Sequence, residues 1–168
     1  ASAIMLFSGK IINKVYVKLP VGKMMLIDIR DQKFDIEGVS CCVKKDSGDD
    51  PDVTNGILVY AKVRLTSSEG IYVEGGEGIG IVTQKGLDCP VGSAAINSVP
   101  RKMIAENVQK ICDYNKYSGG MSITVSVPGG KELAKKTFNP QLGIVGGISI
   151  IGTTGIVEIG RASCRERV

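Results

Sequence analysis

Apolar and polar residues alternate along several stretches of the chain with the period of two that marks strands with one buried face. Val15, Val17 and Leu19 interleave with Lys14, Tyr16 and Lys18. Ile57, Val59, Ala61, Val63 and Leu65 share one face, with Lys62 and Arg64 on the other. Met121, Ile123, Val125 and Val127 alternate with Ser122, Thr124 and Ser126, the clearest amphipathic strand of the set. Weaker strand patterns occupy 24–29, 35–44, 70–74 and 79–83. One long helix stands out. After Pro100, the residues Met103, Ile104, Val108, Ile111 and Cys112 fall at three- and four-residue spacings on one side. Pro100 suits the first turn, where its missing N–H costs nothing. A shorter helix is expected through Lys131–Lys136, and residues 1–8 read as the last turns of a helix stopped at Gly9.

Many strands, few helices and no regular strand–helix alternation predict an α+β fold, a two-layer sandwich rich in strands with one long helix near 100–115. From about Asn139 the texture turns Gly- and Ile-rich. The expected organisation is therefore a domain over 1–138, incomplete at its start, and the beginning of a second domain over 139–158. Residues 159–168 break abruptly from that run and read as a non-native tail.

Composition narrows the chemistry. The 168 residues include no histidine, which removes His-based triads, His general bases and His metal sites. Trp is absent and aromatics are 5%, too few for a platform that stacks single-stranded nucleic acid. The net charge is +4, and half of it comes from the last eight residues, so neither nucleic acid nor an anionic membrane is favoured as a partner. The uncharged run from Leu142 to Val157 is shorter than the ~20 residues of a spanning helix and is broken by glycines. Five cysteines without C-x-x-C spacing read as buried thiols of a cytoplasmic protein, with no metal site.

Three segments carry candidate chemistry. Lys45-Asp46-Ser47-Gly48-Asp49-Asp50-Pro51-Asp52-Val53-Thr54 crowds four carboxylates. It reads either as a helix start, with Asp50 as N-cap and Pro51 in the first turn, or as a ligand site for ribose hydroxyls, an ammonium group or Mg²⁺. Glu74-Gly75-Gly76-Glu77-Gly78-Ile79-Gly80 lies between strands, where a dinucleotide fingerprint would have to open a helix; a hairpin or a ligand-facing loop both fit. Gly143–Gly155, with the pair Thr153 and Thr154, is either a buried strand between tight turns or a backbone that lets a ligand approach. The basic pairs Arg101-Lys102 and Lys135-Lys136 could bind an anion or be solvated lysine and arginine.

In this order and spacing, KDSGDDPDVT (45–54), EGGEGIGIVTQKGL (74–87), AINSVPRKMI (95–104) and LAKKTFNPQLGIVGGISIIGTTGIVE (133–158) resemble the CbiD family. Ser93, Ala94 and Ser98 stand where that family usually has Glu and two prolines. The resemblance implies part of an S-adenosyl-L-methionine-dependent methyltransferase that methylates C1 of cobalt-precorrin-5B, giving cobalt-precorrin-6A in cobalamin biosynthesis. It also implies truncation at both ends and a chain inactive alone. A non-catalytic α+β module binding a small ligand or RNA is the alternative.

On that resemblance, Gly146, Gly147, Gly152, Thr153, Thr154 and Gly155 are expected to line the cofactor pocket. Asp46, Asp49, Asp50 and Asp52 are expected to anchor polar groups, together with Asn97. Arg101, Lys102, Lys135 and Lys136 are expected to clamp the carboxylates of the tetrapyrrole substrate. The glycine run and the acidic turn are expected to share one cleft.

Overall fold

The computed structural model describes residues 1–19, 21–49 and 51–152. It opens with α1 (Ser2–Ser8), which ends at Gly9 as its sequence predicts. The alternating stretches become β1 (Lys14–Lys18), β2 (Met24–Asp28), β4 (Gly38–Lys44), β5 (Leu58–Thr66) and β6 (Ile71–Gly75), and before β4 lies β3 (Arg30–Asp35), which the pattern does not predict. A two-residue strand, β7 (Ile81–Val82), precedes the long helix α2 (Ser98–Tyr114). The strand β8 (Gly120–Ser126), the short helix α3 (Gly130–Ala134) and β9 (Ile144–Val145) follow.

The main sheet runs β3-β4-β5-β8-β6. All its neighbours are antiparallel except β6 and β8, which run parallel and are joined through α2. The fold is thus the α+β two-layer arrangement expected, with one strand–helix–strand crossover built into it. α1 packs on β4 and β5, and α2 on β6. Beneath the helices, Val63, Val73, Met121, Ile123, Val125 and Val127 form the centre of the core with Cys112 of α2 and Ala3 of α1. Phe7 and Tyr117 close it at one side, their rings 5.4 Å apart and tilted. A smaller cluster of Met5, Ile29, Val39 and Cys41 continues it beneath β3 and β4.

The opposite sheet face is polar, and β8 shows what a central position does to that pattern. Ser122 is buried although it belongs to the polar face. Its register partners are Arg64 on one side and Tyr72 on the other, whose larger side chains shield it. Its hydroxyl donates to Glu74 Oε2 at 3.1 Å, which satisfies it there.

Two expectations change. The stretch 35–44 is a hairpin turn followed by a strand. Asp35 Oδ1 accepts from the Glu37 and Gly38 amides at 2.8 and 3.0 Å, and this side-chain cap turns the backbone where alternation alone suggested continuity. The acidic segment starts no helix: residues 53–56 form a turn and β5 begins at Leu58. Asp52 caps the amide of Thr54 at 2.7 Å, a local bond that closes an Asx turn and competes with helix formation.

Residues 139–152, assigned above to a second domain, are bonded into the rest. β9 pairs with β7, and isolated bridges join Ile79 to Ile148 and Ile96 to Ile150. Ile144 is buried with Val82, Cys89 and Ala95, and Ile148 belongs to the main core. Among the described residues no helix is long and apolar enough to cross a membrane.

Candidate functional site

The strand registers bring the two most distinctive loops to one edge of the sheet. Lys44 pairs with Leu58, Tyr60 with Ser126, and Gly75 with Val125. The acidic loop after β4 and the glycine segment after β6 therefore leave the same edge. They are separated by β5 and β8, three interstrand spacings or about 14 Å.

Within the acidic loop, charge is largely committed. The Lys45 ammonium reaches both Asp52 and the Thr54 hydroxyl, and that hydroxyl also donates to Asp52 Oδ1 at 2.7 Å. Partial burial acts to raise the Asp52 carboxyl, but the bonds from Lys45 and Thr54 outweigh it and hold the pKa below the usual carboxylate range. Asp46 caps the Gly48 amide at 2.9 Å, and Asn55 Oδ1 accepts from the Ser47 amide at 3.0 Å. The Ser47 hydroxyl is buried without a partner among the described residues. Asp46 and Asp49 are exposed, and Asp50 lies outside the described residues. Among the described residues no cluster of three or more carboxylates and thiols is arranged to hold a metal ion.

The glycine segment is a crossing of backbones. Gly78 has φ +74°, and a Cβ there would fall inside the Val127 carbonyl oxygen. A Cβ on Gly147 or on Gly130 would meet the Gly78 carbonyl in the same way. Hydrogen bonds stitch the crossing: Gly80 N to Ile148 O at 2.8 Å, Ile148 N to Gly78 O at 2.9 Å, and Val127 N to Glu77 O at 2.7 Å. The side-chain space at Gly147 is thus filled by protein backbone, so this glycine serves the crossing and offers a cofactor no room. Gly146 has φ +82° and nothing within 4 Å of a built Cβ, and Gly152 meets only Pro100, at 3.8 Å. Thr153, Thr154 and Gly155 lie outside the described residues.

The basic residues divide. Arg101 donates to the Val73 carbonyl and, at 3.5 Å, to the Ala94 carbonyl. Its guanidinium satisfies backbone acceptors of β6 and of the segment before α2, so it is spent on the fold instead of standing free as a clamp. Lys102 lies 3.8 Å from Glu106 on α2, and Lys135 lies 2.6 Å from Glu132 at the end of α3, each an exposed pair. Lys136 is exposed. Asn97 precedes α2 as N-cap without a side-chain cap bond. The cap comes instead from Asp88, which accepts from the Ser98 amide and, at 3.0 Å, from its hydroxyl. Burial, and then the Asp88 charge, push the neighbouring Cys89 thiol up.

A cleft of about 470 Å³ opens between β2 and the acidic loop. Met25, Leu26, Ile27 and Asp28 form one wall, Arg30 its base, and Lys44, Lys45, Asp46, Asn55 and Gly56 the other wall. It includes Asp46 but none of Gly146, Gly147 or Gly152, so the acidic turn and the glycine run do not share this lining. Arg30 stands opposite Cys42, and Cys42 opposite Tyr60, on the polar face of the sheet. Tyr60 donates to Asp31 Oδ2 at 2.9 Å, and that carboxylate pushes its pKa up to about 12. Sequence reasoning missed Arg30, Lys44 and the β2 wall. The available signal was the unbroken apolar run Met24–Ile27, which lacks the alternation of a strand with one wet face.

The features together define a class: an open-faced α+β fold, helices on one side of a mixed sheet, with loops converging at one edge around a glycine-built crossing. The chain belongs to the CbiD family, whose model matches residues 1–159. It is 52% identical over 158 residues to a cobalt-precorrin-5B C(1)-methyltransferase of Ruminiclostridium cellulolyticum, covering 94% of this chain and 41% of that protein. It is 50% identical to the protein of the same name from Thermoanaerobacter sp., covering 94% and 42%. The 1.9 Å crystal structure of a cobalamin biosynthesis protein (cbiD) from Archaeoglobus fulgidus superposes with a TM-score of 0.70 at 37% identity, covering 94% of this chain and 49% of that one. The chain thus spans less than half the length of these relatives.

Proposed function

We propose that this chain is part of a methyltransferase that places a methyl group on C1 of cobalt-precorrin-5B, a step of cobalamin biosynthesis. The observation that carries this reading is the 52% identity over 158 residues to a relative named for that activity. The implied donor is S-adenosylmethionine, whose sulfonium supplies an activated methyl group. The described glycines do not fit a cradle for it: Gly147 is filled by the Gly78 backbone, and Gly146 alone leaves open space.

What the chain's own residues supply is a rigid edge and charges. Methyl transfer to a ring carbon needs no histidine; it depends on holding the reactants in line, which is worth ~7–11 kcal/mol in favourable cases. The backbone crossing at Gly78 and the Arg101 tie between β6 and the start of α2 stiffen the edge on which such positioning depends. Asp49 and Lys136, exposed in the structure, remain available for polar groups of the substrate.

The test is a mass assay with cobalt-precorrin-5B and methyl-labelled S-adenosylmethionine. It is run on the 168-residue chain alone and on the chain joined to the remaining portion of the Ruminiclostridium relative. The joined protein is expected to add one labelled methyl group to the tetrapyrrole. Absence of labelled product from the joined protein, with the intact relative active alongside, overturns the reading.

A further inference from the structure

We propose that the cleft between β2 and the acidic loop receives carboxylate arms of the tetrapyrrole, with Arg30 and Lys44 as anchoring cations and Met25 and Leu26 as an apolar wall beside the ring edge. The proposal rests on the methyltransferase reading and gives it a location on residues that no part of that reading uses.

Charge accounting singles out these two cations. Of the three basic residues lining the cleft, Lys45 is held by Asp52 and Thr54. Arg30 and Lys44 make no salt bridge among the described residues. The two acidic groups of the lining are already engaged: Asp28 lies 3.3 Å from Lys14, and Asp46 caps the Gly48 amide. Of the four cations expected from the sequence to take this role, Arg101, Lys102 and Lys135 have protein partners, and Lys136 is exposed outside the cleft lining. A guanidinium and an ammonium without salt-bridge partners among the described residues, in a cleft also lined by an apolar strand, match a ligand that is apolar along an edge and anionic at its arms. Arg30 offers the forked donors that grip a carboxylate in two places.

The wall opposite supports the same chemistry. Met25 and Leu26 are 47% and 46% exposed, and Met24 and Tyr16 beside them are more exposed still. Leu26, Met24 and Tyr16 share one face of the β1–β2 ribbon, an exposed apolar surface beside the cleft of the kind that marks binding sites. At about 470 Å³ the cleft holds one edge of a macrocycle with its arms, within the size range of small-molecule sites. Register places Arg30 on β3 and Lys44 on β4, three and two strands from β8, on the polar sheet face at the loop-bearing edge.

The experiment titrates the 168-residue chain with uroporphyrin, an eight-carboxylate tetrapyrrole, following its fluorescence, and repeats the titration with the octamethyl ester. The chain is expected to bind uroporphyrin and to prefer it to the ester. Arg30→Gln with Lys44→Gln should weaken uroporphyrin binding by about tenfold and leave ester binding unchanged. Lys102→Gln with Lys135→Gln should bind as the parent does. Should the double variant lose its thermal transition, Lys44→Gln alone, at an exposed position, is expected to weaken binding about threefold. Equal uroporphyrin binding by parent and folded variant overturns the cleft and leaves the methyltransferase reading intact. No binding by the parent overturns the cleft as well, while the labelled-methyl assay judges the reaction separately.

Discussion

At Asp52 a single carboxylate is served by an ammonium, a hydroxyl and an amide. Its folded pKa lies below the unfolded value, so the stability it contributes is fully present above ~4 and is lost as pH falls through the folded pKa. Asp52→Asn should therefore cost about 0.5–1 kcal/mol at pH 7, and the difference from the parent should shrink in urea melts as pH falls below ~4. Gly78 makes a sharper case. Its positive φ and the Val127 carbonyl at its α-carbon leave an alanine both strained and without space. Gly78→Ala should destabilise by about 2–4 kcal/mol in chemical denaturation. Gly146→Ala, with a similar φ but open surroundings, should cost about 1 kcal/mol. The contrast separates the cost of the backbone angle from that of the close approach.

Arg101 links two elements, and its role is decided by acceptors that no sequence pattern displays. Arg101→Gln should cost about 1.5–3 kcal/mol, because the carbonyls of Val73 and Ala94 lose a charged donor. Hydrogen exchange should quicken along β6 and the first turns of α2; unchanged exchange there would contradict the assignment. The legibility of the elements follows the same division. β1, β5, β8 and α2 were visible because alternation and helical spacing are local and one face of each meets the core. The hairpin at 35–38 was not, since it depends on one aspartate cap, and neither was the failure of Asp50-Pro51-Asp52 to start a helix. The acidic segment was found as a motif, but Lys45 neutralises part of it through a contact that reveals itself only in three dimensions. Arg30 and Lys44 escaped notice because isolated cations in strands carry no signature until the register sets them beside β2.

Across the whole molecule, the cysteines report how tightly the layers close. Burial pushes the thiols of Cys42, Cys89 and Cys112 up, and Cys41 is buried as well. In a Cys164→Ser background the remaining thiols should react with a disulfide reagent at least a hundredfold slower than free cysteine, and all at once on unfolding. Fast labelling of Cys41 and Cys112 in the native chain would mean that the helices do not seal the sheet. The position of β8 has a different kind of consequence. It is the penultimate strand among the described residues and yet it sits between β5 and β6, so the sheet has no middle until residue 126 has been made. A nascent polypeptide on the ribosome carries β3-β4-β5 with a raw flank and β6 with nothing to join, both open to sticking to other chains. Synthesis that stalls before residue 120 should leave insoluble product, and a chaperone that shelters the exposed flank of β5 should matter most during that interval.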